Sequence, residues 1–244
     1  MKILQQIRKS DFGRAAKTQG GAPEMTGGKN PQIIVTAGGT REKIDDVRYL
    51  GNFSSGRLGC ALAQSAARLG YNVLLLAPAS TVERFGSPPD VDYRPFTSAE
   101  SLKRKILSLD SATFIFHSAA VADYAPARVE GKISSDPNEL TLKLYRTPKI
   151  LQMLRPHFGD RTVIAGFKLL SNVTEEQLID VARRQLRSSG TDFCVANDLR
   201  EIGDGVRRVH IVDSSEKYST LKGSTPEVAD AIASQILSRG VRDF

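Results

Sequence analysis

The stretch from residue 31 to residue 59, PQIIVTAGGTREKIDDVRYLGNFSSGRLG, constrains the fold more than any other part of the chain. It opens with Ile33, Ile34, Val35 and Thr36, a β-branched run of the kind that fills a strand buried on both faces. Gly38 and Gly39 follow, so the strand gives way to a turn. A polar stretch carrying Arg41, Asp45, Asp46 and Arg48 then leads to a second cluster of small residues, Asn52, Ser54, Ser55, Gly56 and Gly59, which opens an alanine-rich helix over 58–69. Backbone N–H groups at such a helix start, with serine hydroxyls beside them and the positive end of the helix dipole behind, form an anion or phosphate site.

The rest of the chain reads as one α/β unit. After Gly70, a C-cap, comes the apolar run Val73–Ala77, which completes a β-α-β unit. A dinucleotide-binding fold would want GxGxxG at the first turn and an acidic residue ending the second strand. The first turn is AGGT and the second strand ends in Ala-Pro-Ala-Ser, so an NAD-dependent oxidoreductase is disfavoured. Thr97 and Glu100 have capping-box spacing ahead of Leu102, Ile106 and Leu109, which predicts a second helix. A third buried strand is expected over 112–118. Ligands of open α/β sheets lie beyond the carboxyl ends of strands, and the small residues Ser118, Ala119 and Ala120 would let one approach the backbone there. Asp123 would be placed to accept from a ribose or amino group, although a helix cap or turn is the plainer role for an aspartate there.

Residues 125–138 hold Pro126, Gly131 and Pro137 and read as a mobile excursion carrying Lys132. Leu140, Leu142 and Leu144 alternate with polar residues as in a half-exposed strand. Strands are expected over 163–167, 193–196 and 209–212. Helices are expected over 174–188, opened by a Thr-x-x-Gln box, and from Thr225 and Pro226 to Gly240. The alternation predicts a Rossmann-like, mainly parallel sheet with helices on both faces.

With 244 residues, 40% hydrophobic and 25% charged, the chain suits one sizeable core. The division is a flexible basic tail over 1–30 and one domain over 31–244. The net charge of +7 is concentrated in that tail, where six Lys/Arg face two Asp/Glu. The folded part is only mildly basic, Trp is absent and aromatics are 7%, so no nucleic-acid partner is expected. Cys60 and Cys194 lack metal or CxxC spacing and read as buried structural thiols. No apolar run approaches 18 residues and no secretory leader is evident, so neither a membrane span nor export is expected and the cytoplasm is the expected location.

The wording of the motifs is more specific than their physics. TAGGTRE, the DxVRYxxNxSSGxxG pattern of Asp45, Val47, Arg48, Tyr49, Asn52, Ser54, Ser55, Gly56 and Gly59, AAVADY at 119–124, GKIS at 131–134, LTLKLYRTPKIL at 140–151, GFKLL at 166–170 and VAND at 195–198 together resemble phosphopantothenoylcysteine synthetase. The resemblance runs from residue 31 to the C-terminus. It implies a ligase of coenzyme A synthesis that activates the carboxylate of 4′-phosphopantothenate with CTP or ATP and Mg²⁺, releases pyrophosphate, and passes the acyl group from the nucleotide to cysteine. It implies Asn52 as the residue holding the acyl intermediate, Arg48 beside it on substrate, and Lys132 closing over the nucleotide phosphates. Gly38, Gly39, Ser54, Ser55 and Gly56 would contact phosphates, Ser118, Ala119 and Asp123 would line the nucleotide site, Ala120 the substrate site, and Phe167 would meet the base. No protein metal ligands are implied, and His117, His157 and His210 show no ligand spacing. The 140–144 segment would build the arm of a homodimer.

Two departures matter. Only about 30 residues precede the first motif, so the flavin-dependent decarboxylase of bifunctional members is expected to be a separate protein. Lysines that assist CTP in those members give way to Arg183, Arg184 and Arg187, while GFKLL, GKISS and RTPKIL are similar to the stand-alone bacterial form and favour CTP. The competing reading is a non-catalytic nucleotide-binding subunit on the same fold.

Overall fold

The computed structural model describes residues 32–203 and 205–239; the expected tail over 1–30 lies outside them. The first strand, β1 (Ile33–Thr36), is fully buried and pairs in parallel with two other buried strands, β4 (Val73–Ala77) and β6 (Phe114–His117). Between β1 and β4 runs α1 (Arg57–Arg68), closing the expected β-α-β unit. Outward from β4 lies β5 (Val91–Pro95), and on the other side of β6 lie β9 (Val163–Leu170) and β10 (Phe193–Asp198), all parallel. An antiparallel strand, β12 (Val206–Asp213), then pairs with β10 and carries β11 (Ile202–Gly203) and β13 (Tyr218–Ser224), making a nine-stranded sheet among the described residues.

Alternation along the buried strands divides the core. Ile33 and Val35 pack on one face under α1 and α6 (Thr225–Arg239), with Leu62, Ala66, Ile232 and Ile236. Ile34 and Ile115 point the other way, under α3 (Ala99–Leu107) and α4 (Ile150–Phe158), with Leu102, Ile106 and Leu154. Alongside, α5 (Glu175–Ser189) covers Cys194, Ala196 and Val212. Truncating a fully buried leucine such as Leu62 to Ala would cost about 2–5 kcal/mol. This is the expected Rossmann-like layering, and both cysteines are buried and free. No helix among the described residues is long and apolar enough to cross a membrane.

Several elements differ from expectation. The capping pair for α3 is displaced by one residue: Ser98, not Thr97, accepts from the Ser101 N–H. The Thr174/Gln177 box on α5 forms in both directions. A short helix, α2 (Ala79–Phe85), and the strands β5 and β13 occupy segments with no expected element. The polar loop after β1 is a hairpin, β2 (Arg41–Lys43) with β3 (Tyr49–Gly51). The 140–144 strand shrinks to β8 (Leu144–Arg146), which pairs with β7 (Tyr124–Pro126) in a two-stranded ribbon. Leu140 and Leu142 lie outside it, exposed like Leu144.

Candidate functional site

The carboxyl ends of β1 and β6 are joined by polar contacts rather than left open. The Ala120 N–H donates to Gly38 O at 2.8 Å and the Thr40 N–H to Ala120 O at 3.1 Å, extending the parallel pairing past both strands. The Ser118 hydroxyl donates to Thr36 O at 2.6 Å, and the Ala119 N–H to Thr36 Oγ1 at 3.1 Å. The hydrogens of Ser118, Ala119 and Ala120 are therefore engaged within the fold. What these small residues leave to a ligand is space and the Ser118 lone pairs. Thr36 Oγ1, accepting from Ala119, can give its own hydrogen to Nδ1 of His117 at 3.0 Å. Burial pushes His117 down to about 4, so the ring is neutral.

Glycine is required where α1 meets this floor. Gly38 and Gly56 both have φ of +79°, and a Cβ on Gly56 would stand 2.6 Å from Thr81 Cγ2 and 2.9 Å from Gly38 N. A Cβ on Gly59 would lie 2.5 Å from that of Ala37. Neither position has room for a side chain, and this brings the start of α1 against the β1 turn. No side chain caps α1, and Ser55 Oγ reaches only the Arg57 N–H, at 3.4 Å.

Beside it opens a cleft of about 140 Å³, lined by Gly39, Arg41, Tyr49, Asn52, Ser54 and Ser80 among others. Asn52 is exposed at its rim; its Nδ2 reaches Val121 O at 3.4 Å, and its own carbonyl accepts from the Ser54 N–H. Arg41, which the sequence did not single out, stacks 4.9 Å over Tyr49 and donates to Ser80 Oγ at 2.8 Å. The cleft is smaller than the roughly 300–1,000 Å³ of most ligand pockets.

The turn of the β2–β3 hairpin grips the loop that carries Lys132. Asp45 is completely buried at its side chain and accepts from the Val47 and Arg48 N–H groups, from Arg48 Nε and Nη2, and from the Ile133 N–H at 3.1 Å. Arg48 also donates to Ile133 O at 2.8 Å. On the other flank Asp46 accepts from the Gly131 N–H and from Arg128, while its own N–H donates to Gly131 O. Both neighbours of Lys132 are thus held at N–H and C=O. The Arg48 guanidinium keeps the Asp45 carboxyl well below the usual carboxylate range, aided by backbone donors. Arg48, expected on substrate, instead has its fork on Asp45 and reaches Ile133 O, so its contacts seat the Lys132 loop. In the sequence Asp45 stands out only as a member of a polar stretch and of the DxVRY pattern.

The remaining expected residues are scattered around the same edge. Asp123 is exposed and pairs with Lys149 at 2.5 Å. Phe167 is half-buried on β9 against the α1/α6 core. In the VAND segment Asp198 is structural: Arg200 holds it well below the usual range, and it also accepts from the Val173 N–H. Its neighbour Asn197 is buried, with Nδ2 lacking any partner. Among the described residues no three His, Cys, Asp or Glu side chains gather in a way that could hold a metal ion.

Residues 28–239 match the family described as DNA/pantothenate metabolism flavoprotein C-terminal domain. The coenzyme A biosynthesis bifunctional protein CoaBC of Methanocaldococcus jannaschii is 33% identical over 210 residues, covering 84% of this chain and 50% of that protein. The chain spans about half the length of the curated relatives it matches. The crystal structure of the DNA/pantothenate metabolism flavoprotein from Streptococcus pneumoniae superposes with a TM-score of 0.72 at 28% identity, over 86% of this chain and 99% of that one. The C-terminal domain of a CoaBC protein gives 0.68 at 29% identity, over 85% and 94%.

Proposed function

Since the chain belongs to the DNA/pantothenate metabolism flavoprotein C-terminal domain family, we propose that it joins 4′-phosphopantothenate to cysteine through an acyl nucleotide. A carboxylate cannot be displaced directly, because oxide would be the leaving group. Attack of a carboxylate oxygen on the α-phosphorus of CTP or ATP forms an acyl phosphate bond and breaks the α–β phosphoanhydride, releasing pyrophosphate. The cysteine amine then attacks the acyl carbonyl, the C–O bond to the nucleotide breaks, the amine loses a proton, and the nucleoside monophosphate leaves. CTP is the proposed nucleotide, on the GFKLL, GKISS and RTPKIL wording. Mg²⁺ would arrive with the triphosphate, held by phosphate oxygens and water.

The single observation that carries this reading is that one hairpin, β2–β3, both holds the loop carrying Lys132 and leads into Asn52. Its turn holds the backbone on both sides of Lys132, and its exit strand β3 ends beside Asn52. A cation held this way stabilises charge developing on the phosphate without reorganising at the moment of reaction. A neutral amide orients an acyl carbonyl without competing as a nucleophile. The exposed leucines 140, 142 and 144 and Tyr145 lie on or beside a two-stranded ribbon, which is marginal without a packing partner. We propose that they pair two copies of the chain.

The test is pyrophosphate release from CTP and, separately, ATP, with 4′-phosphopantothenate and Mg²⁺, with and without cysteine, on the wild type and Asn52→Asp. The expected result is release that requires phosphopantothenate, turns over only with cysteine, and stalls at an acyl nucleotide in Asn52→Asp. A protein that binds nucleotide but releases no pyrophosphate would instead be a non-catalytic nucleotide-binding subunit.

A further inference from the structure

Two buried hydrogen-bond donors without partners stand together at the antiparallel end of the sheet. Asn197 is 8% exposed on β10 and its Nδ2 has no acceptor; Nε of Arg207 on β12 is buried and equally without one. The register sets Asn197 opposite Val209, because Ala196 pairs with His210. Val195 and Val209 both point to the α1/α6 core, so Asn197 and Arg207 lie on that same face as diagonal neighbours across the β10–β12 pair. Arg57, in the first turn of α1, is close enough to oppose the charge of Arg207, which burial and Arg57 together push below the ordinary guanidinium value. No carboxylate among the described residues pairs with Arg207.

This arrangement is costly as it stands. Native structures leave few buried donors unpaired, and a partly desolvated cation beside a second cation calls for an anion. The face is also the one on which Phe167 sits, one strand over, with Phe167 level with Val195. We propose that Arg207, Arg57 and the Asn197 amide form a subsite for a phosphate group of a bound phosphoester. Two phosphoesters of the proposed reaction carry that chemistry, the nucleoside triphosphate and the 4′-phosphate of the acid substrate; the inference rests on the proposed function only for which phosphoesters to offer.

The experiment uses the full chain and measures binding without turnover. Calorimetric titration with CTP against cytidine, ATP against adenosine, and 4′-phosphopantothenate against pantothenate is run on the wild type, Arg207→Met and Asn197→Leu. A charge-assisted hydrogen bond lost to a ligand weakens binding by about tenfold or more. The expected result is that Arg207→Met loses this much for the phosphorylated member of at least one pair and nothing for its unphosphorylated partner. Loss with the nucleotides assigns the subsite to the triphosphate, and loss with phosphopantothenate to the acid. Asn197→Leu is expected to move the same pair, by less.

A second readout separates a ligand site from a structural role. Because these donors have no partner in the fold, Arg207→Met is expected to melt no lower than the wild type. Unchanged affinity for every phosphorylated ligand, equal loss with and without the phosphate, or failure of both variants to fold would each overturn the subsite. A wild type that binds these phosphoesters through Arg207 yet releases no pyrophosphate would leave the subsite standing and sink the ligase reading. Full turnover with unchanged KM values in Arg207→Met would do the reverse.

Discussion

The two sides of the sheet's carboxyl edge are finished in opposite ways. On one side, the turn at 45–48 meets the Lys132 loop with donors matched to acceptors: five N–H groups on the Asp45 carboxylate, and both C=O groups flanking Lys132 engaged. On the other, Asn197 and Arg207 bury donors with nothing to receive them. A saturated network fixes geometry in advance, because moving any member leaves a buried group unpaired. An unsaturated one keeps its hydrogen bonds for something that arrives. The closed side therefore reads as positioning machinery and the open side as a place for a ligand.

The comparison breaks most sharply at Asp45. Asp45→Asn puts one carbonyl and one NH₂ where two carboxylate oxygens accept from five donors, so Arg48 and the Ile133 N–H lose their common acceptor. Pyrophosphate release is expected to fall about a hundredfold, the effect of displacing a reacting group by a fraction of its own size. Lys132→Gln should reduce the wild-type rate too, but add little on the Asp45→Asn background, because both changes remove one correctly placed cation. Additive losses would show that Asp45 does not act through Lys132.

His117 stands between the two sides, at the end of β6. Its ring is neutral, accepting from Thr36, and burial holds it down to about 4, against an ordinary value of about 6.5. Between those values the unfolded chain takes up a proton that the folded chain refuses, so stability falls as pH falls from about 6.5 to 4. The loss is about 3 kcal/mol when complete. His210, also lowered by burial, acts in the same direction. Asp45 and Asp198, held down mainly by Arg48 and Arg200, contribute stability that is full above about pH 4 and drains only below it. Denaturant melts across pH on the wild type and His117→Gln check this: the variant should lose most of the slope between 6.5 and 4 and keep the steeper fall below 4. Equal slopes would mean that the His117 ring is not held neutral by burial.

Much of the fold was legible in the chain because buried strands announce themselves. Ile33–Thr36, Val73–Ala77 and the run ending at His117 are uninterrupted apolar segments bounded by glycine or small polar residues. What escaped was half-exposed or broken in pattern: β5 (VDYRP) ends in a proline, α4 contains Pro156, and β13 (YSTLKGS) is mostly polar. The β2–β3 hairpin reads as a loop because all three residues of β2 are charged and both strands are short, although Glu42 is buried and accepts from the Ala99 N–H. Site residues followed the same division. Asn52, Gly56 and Gly59 sit in one compact motif and are legible as candidates. The role of Asp45 is not legible there, since its partner Ile133 is 88 positions away in the chain. Arg207 in GVRRVHIV looks like one more surface cation, and only the register of β12 against β10 turns it inward.

The smallest expected effect tests whether the closed side is one unit or two. Asp46 flanks Lys132 as Asp45 does, but it is about half exposed and so is its partner Arg128. Exposed ion pairs contribute little, because water and salt compete for both charges. The backbone bond from Asp46 N–H to Gly131 O survives any substitution of its side chain other than proline. Asp46→Ala should therefore leave the melting temperature unchanged and lower pyrophosphate release by no more than about twofold, with the small loss vanishing at high salt. A loss as deep as that of Asp45→Asn would mean that exposure does not set the importance of the two acids. The grip on Lys132 would then be a single cooperative network, failing whichever carboxylate is removed.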